Sequence, residues 1–140
     1  MYRIIYKSRA TGTIDKESLR DILYTSIQMN SLHGINGALI ATRSSYLQFL
    51  EGEEIAVKET FSQIEQDSRH TNVEVIFSSE VTSPIFSGWR MRGFGLFEIN
   101  LELEKKLKEK YGEENGTILL PSDELKAIEL VYDVDMITPN

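Results

Sequence analysis

The chain has 140 residues, a formal net charge of −7 and no cysteine. That length suits one domain with a sizeable core, and the composition excludes disulfides, thiolate metal sites and cysteine nucleophiles together. An acidic surface repels a phosphate backbone, and the densest basic stretch, Lys105 to Lys110, is interleaved with Glu102, Glu104 and Glu109, so it reads as a solvated helix face and no nucleic-acid partner is expected.

In chain order, Tyr2 to Ser8 is rich in Ile and Tyr and ends at Thr11-Gly12-Thr13, which predicts a strand and a turn. Asp15 to Asn30 carries Leu19, Ile22, Leu23, Ser26 and Asn30 at helical spacing, with Asp15 as the N-cap. Gly37 to Thr42 and Tyr46 to Gly52 predict a hairpin around Arg43-Ser44-Ser45. A second helix is predicted over Glu54 to Ser68, through Val57, Phe61, Ile64 and Ser68. Val73 to Val81 is a β-branched strand, and after a loop containing Pro84 a last strand runs near Met91 to Phe97. The expected fold class is therefore α+β, a ferredoxin-like βαββαββ sandwich with both helices on one face of a single sheet. Two further helices, Leu101 to Tyr111 and Ser122 to Val131, flank a Gly112-Glu113-Glu114-Asn115-Gly116 linker and would cover the other face. No apolar run approaches membrane-spanning length and no export signal is visible, so the expectation is a soluble cytoplasmic protein without a membrane partner; Asn115-Gly116-Thr117 then matches a glycosylation acceptor by coincidence.

Three polar side chains disturb this pattern. Strand alternation puts Tyr6 on one face with Tyr2, Ile4 and Ser8, and Gln48 with Tyr46 and Leu50; helical spacing puts Asn30 on the stripe of Ile22 and Ser26. A buried unpaired donor or acceptor costs about 1–3 kcal/mol, so three of them on inward faces point to a shared polar ligand. They converge on a slot walled by Ile22 and Ile64, which suits a flat ring. Taken singly, each has a plainer reading: Gln48 as an edge residue, Tyr6 as a packed amphipathic ring, Asn30 as the helix-ending residue ahead of Gly34 and Trp89 as core filler. His33 and His70 are the only histidines and lack a carboxylate cluster at ligand spacing, so no metal is expected.

Tyr6-Lys7-Ser8, Asn30 with Gly34-Ile35-Asn36-Gly37, Leu47-Gln48-Phe49-Leu50-Glu51-Gly52, Asp67-Ser68-Arg69-His70 and Trp89-Arg90-Met91 resemble, in order, the successive motifs of the BLUF family of flavin-binding blue-light sensors. The resemblance covers residues 2 to 98. It implies a sensor domain over 1–98, a helical extension over 99–140 and no enzymatic activity. It further implies FAD, with FMN as the alternative, bound by Tyr6, Ile22, Asn30, Gln48, Ile64, Asp67, Arg69 and His70. Tyr6 and Gln48 would be photoactive, Trp89 and Met91 would relay the signal, and output would go to a separate signalling protein, with homo-oligomers expected. Asn36 stands where many members have Thr, the basic residue often preceding Asn30 is absent, and Gln63 replaces an Arg found in some relatives, which leaves the phosphate contacts and the FAD–FMN choice open. An acylphosphatase-like hydrolase would need a Gly-rich, Arg-bearing loop after the first strand, where only Ser8-Arg9-Ala10-Thr11-Gly12 is present. A light-insensitive interaction module on the same scaffold is the other alternative, and costly buried polar groups argue against it.

Overall fold

The structure, a computed structural model, describes residues 1–137. The last three positions of the predicted 99–140 extension lie outside the described residues. At the centre of a five-stranded sheet lie β1 (Tyr2–Ala10), with two Ile and two Tyr, and β3 (Ser45–Gly52), with Tyr, Phe and two Leu. They pair antiparallel in unbroken register from Tyr2 opposite Gly52 to Arg9 opposite Ser45, which sets Tyr6 directly across from Gln48. β2 (Asn36–Ala41) adds antiparallel to β3, β4 (His70–Glu80) antiparallel to β1, and β5 (Arg92–Gly95) parallel to β2, giving the order β4-β1-β3-β2-β5. With α1 (Lys16–His33) and α2 (Glu54–Glu65) between strands, this is the ferredoxin-like α+β arrangement.

Local chemistry sets the helix ends. The Asp15 carboxylate accepts the Ser18 amide at 2.8 Å while the Ser18 hydroxyl accepts the Asp15 amide at 2.9 Å, a reciprocal cap that starts α1. Gly34, at φ 67°, ends it by giving its N–H to the Asn30 carbonyl. The second helix stops at Glu65 rather than at the expected Ser68. Asp67 accepts the Arg69 amide at 2.9 Å and its carbonyl accepts the His70 amide at 3.1 Å, so the side chain builds a turn in place of another helical turn, and β4 begins three residues earlier than its β-branched run.

Each sheet face carries its own core. Ile4, Leu39, Tyr46, Leu50 and Met91 pack with Leu19, Ile22 and Val57 under α1 and α2. Ile5, Ala38, Ile40, Leu47 and Phe49 pack with Leu107 of α3 (Leu101–Tyr111) and with Ala127, Leu130, Val131 and Val134 of α4 (Glu124–Ile137). Two expectations change here. α4 starts at Glu124 rather than Ser122, with Asp123 accepting the Lys126 amide at 2.9 Å, and it runs past Val131 to Ile137, with Val134 buried in the same core as the sheet residues. The stretch expected as a linker is a ribbon, β6 (Glu113–Glu114) against β7 (Thr117–Ile118), turned by Asn115 at φ 51° and Gly116 at φ 81°.

Gly37 is where the sheet comes closest to itself. A Cβ there would lie 1.8 Å from the Phe49 carbonyl oxygen and 3.1 Å from the Met91 methyl, whereas one at Gly12 would meet nothing within 4 Å. Gly37→Ala is expected to cost about 1–3 kcal/mol in urea unfolding, the usual penalty of overpacking, and Gly12→Ala to stay within about 0.5 kcal/mol.

Candidate functional site

Four elements bring the predicted polar residues to one cleft. β1 and β3 carry Tyr6 and Gln48 into the layer beneath the helices, where both are buried, and the last turn of α1 brings in Asn30 at 2% exposure. Between α1 and α2 lies a cleft of about 110 Å3, lined by Ile22, Ser26, Met29 and Asn30 from α1, Leu39 and Gln48 from the sheet, and Thr60, Gln63 and Ile64 from α2. Asp67 and Arg69, from the turn after α2, and His70, at the start of β4, line it too.

The hydrogen bonds give the cleft a direction. Burial, then the charges of Tyr46 and Asp67, push the Tyr6 phenol far above the ordinary tyrosine range, so it stays protonated and donates to Gln48 Oε1. That fixes the amide. Gln48 Nε2 then faces the Met91 sulfur at 3.6 Å, a weak acceptor that leaves a buried donor poorly satisfied. Asn30 Nδ2 donates to the Arg90 carbonyl at 3.2 Å. Phe61 packs on the Tyr6 ring with centroids 5.3 Å apart, and His70 meets it edge-on at 6.2 Å.

At the other end, the Arg69 guanidinium forks onto Asp67, with Nη2 to Oδ2 at 2.6 Å, and holds that carboxyl at about 2. Ser8 Oγ lies 2.9 Å from His70 Nδ1, and burial pulls the imidazole below its usual value despite the nearby Asp67 charge.

Every predicted contact residue therefore lies in or directly behind the cleft: Ile22, Asn30, Gln48, Ile64, Asp67, Arg69 and His70 line it, and Tyr6 sits behind Gln48. The predicted relay pair divides. Met91 is buried against Gln48, whereas Trp89 packs on the opposite core beside Phe86, with centroids 5.4 Å apart, and under the Arg92 guanidinium at 4.5 Å. Two contributors escaped the sequence. The Arg90 carbonyl is backbone and leaves no signal in residue type; Gly37, whose N–H donates to the Trp89 carbonyl at 2.8 Å, stood in a quoted motif and could have been read as a point of close approach.

The fold is a ferredoxin-like α+β sandwich with a polar-floored cleft between its two helices. The family model described as "BLUF: Sensors of blue-light using FAD" matches residues 1–92, and the chain belongs to that family. BLUF domains are flavin-binding photosensor modules, not enzymes. A photoactivated adenylate cyclase subunit beta from Euglena gracilis is 29% identical over 89 residues, which is 63% of this chain and 10% of that protein; its counterpart from Euglena longa is 30% identical over 78 residues, 56% of this chain and 9% of that protein. The chain thus spans about a tenth of the length of these curated relatives. Among solved structures, BlsA in its ground state superposes with a TM-score of 0.77 at 24% identity, covering 99% of this chain and 89% of that one; the dark state of BlrB, a BLUF protein, gives 0.67 at 26% identity over 78% and 81%. Among the described residues no helix is long and apolar enough to cross a membrane.

The folded His70 imidazole takes its proton at a lower pH than the unfolded one. It therefore adds stability that is complete above about pH 6.5 and is lost as pH falls through the folded value. Urea unfolding between pH 7.5 and 5 is expected to show stability declining across that window, and His70→Gln to flatten the decline; an unchanged slope would assign the proton uptake elsewhere.

Proposed function

We propose that this chain is a blue-light photoreceptor whose switch is the Tyr6–Gln48 pair and whose output goes to a separate signalling protein. The observation that carries the reading is the buried couple itself: a phenol held neutral gives its hydrogen bond to an amide whose other end meets only a thioether. Gln48 and Asn30 would hold the polar edge of a flavin, with Ile22 and Ile64 on either side of the ring. Asp67, Arg69 and His70 are assigned to the rest of the cofactor. FAD is the expected flavin; Arg69 is already forked onto Asp67, which keeps FMN as the alternative.

A bound flavin supplies, under blue light, an oxidant strong enough to draw an electron from a phenol. Tyr6 would give up that electron and pass its proton along the hydrogen bond to Gln48, the bound flavin being the acceptor of both. When electron and proton return, the amide is left turned or in its other tautomer, with donor and acceptor ends exchanged. Met91, in contact with Gln48 Nε2, is the first neighbour to feel that exchange, and Trp89, two residues away on the other core, is the second. The 1–98 segment would act as the sensor and 99–140 as the extension through which a partner or a second copy is engaged, in the cytoplasm.

Absorption spectra taken in the dark, under blue light and after standing in the dark test the switch. Wild type is expected to shift slightly to the red and relax. Tyr6→Phe and Gln48→Leu should each keep a bound flavin and lose the shifted state; a normal cycle in either variant would remove that residue from the switch.

A further inference from the structure

Tyr6 and Gln48 have a charged counterpart on the other side of the same two strands. Three positions along the ladder, about 10 Å, Arg3 faces Glu51, on the sheet face away from the cleft. Both are buried, at 5% and 1% exposure. Glu51 Oε2 receives Arg3 Nε at 2.7 Å and Nη2 at 2.6 Å, while Oε1 receives the backbone N–H groups of Ile85 and Phe86, each at 3.0 Å. Arg3 adds a bond from Nη2 to the Ser83 carbonyl at 3.1 Å and reaches Glu124, at the start of α4, with Nη1 3.6 Å from Oε2.

Replacing a buried ion pair by apolar residues is often neutral or stabilising, so stability alone gives no reason for one here. What the pair does supply is position. Ile85 and Phe86 belong to the loop from 81 to 91, whose far end lays Met91 on Gln48, the Arg90 carbonyl on Asn30 and the Trp89 carbonyl on Gly37. The middle of the loop is clamped by Glu51 on one face of β3, and its end touches Gln48 on the opposite face of the same strand.

We propose that Arg3 and Glu51 are positioning residues for the Gln48 site, setting through the 81–91 loop how Met91 meets Gln48, and that the Arg3–Glu124 contact makes this setting common to the loop and to α4. The inference rests on the photoreceptor reading for what moves Met91, and not for the link itself. Coupling between two sites is reciprocal, so a change at α4 must be felt at Met91.

The test uses the full chain, 13C-labelled at the methyls of its four methionines, with Met91 as the reporter beside Gln48. In the dark, Glu124→Gln is expected to move the Met91 signal, and Glu51→Gln, which keeps the shape but turns an amide toward the Ile85 and Phe86 donors or toward Arg3, to move or split it further. Lys126→Gln, on the same helix but paired with Glu129 at 3.7 Å, should leave it in place. In flavin-loaded protein, Glu124→Gln should also change the dark-recovery rate, and Lys126→Gln should not. A Met91 signal that stays put in Glu124→Gln, or moves equally in Lys126→Gln, overturns the proposal. Because that signal is read without light, a wild type lacking the reversible red shift would overturn the photoreceptor reading alone, and Met91 would still decide the link.

Discussion

The arrangement depends on the register of β1 against β3. Side chains alternate faces along a strand, so a slip of one residue would send Tyr6 or Gln48 to the opposite core and leave a phenol and an amide without each other. The ladder carries two buried pairs of different kinds, Arg3 with Glu51 near one end and Tyr6 with Gln48 in its middle.

Asn30 shows how economically the cleft is tied to the scaffold. Its backbone carbonyl accepts both Gly34 and Ile35 N–H groups and closes the last turn of α1, while its side chain reaches the Arg90 carbonyl in the loop before β5. The residue whose carbonyl closes the last turn of the helix therefore also presents an amide to the cleft. Gly37 completes the joint, since only the absence of a Cβ lets Phe49 and Met91 approach at once.

Tyr6, Asn30 and Gln48 were legible in the sequence because each breaks an apolar period with a group that is costly to bury alone. The same logic made the two-core sandwich legible, since α3 and α4 carry apolar stripes that needed the second face of the sheet. The end of α2 was not, because Ser68 keeps helical spacing with Ile64 while the deciding event is a side-chain bond from Asp67 to a backbone amide. Asn115-Gly116 carried the signature of a tight hairpin, but two-residue strands on either side leave no alternation to read. The separation of Trp89 from Met91 was beyond period analysis, since both precede β5 and no strand alternation applies to them.

The outermost strand next to Met91 is slight. β5 has four residues, two of them glycine, and is held to the sheet through β2 alone, over four residue pairs. Glycine gives up the most backbone freedom on ordering, and a short parallel edge repays little of it. At the other edge, β4 has eleven residues and pairs with β1 over eight residue pairs, with two shifts of register. The sheet is thus firmly hemmed on one side and loosely basted on the other, and it can let its last strand lift without unpicking the central seam between β1 and β3.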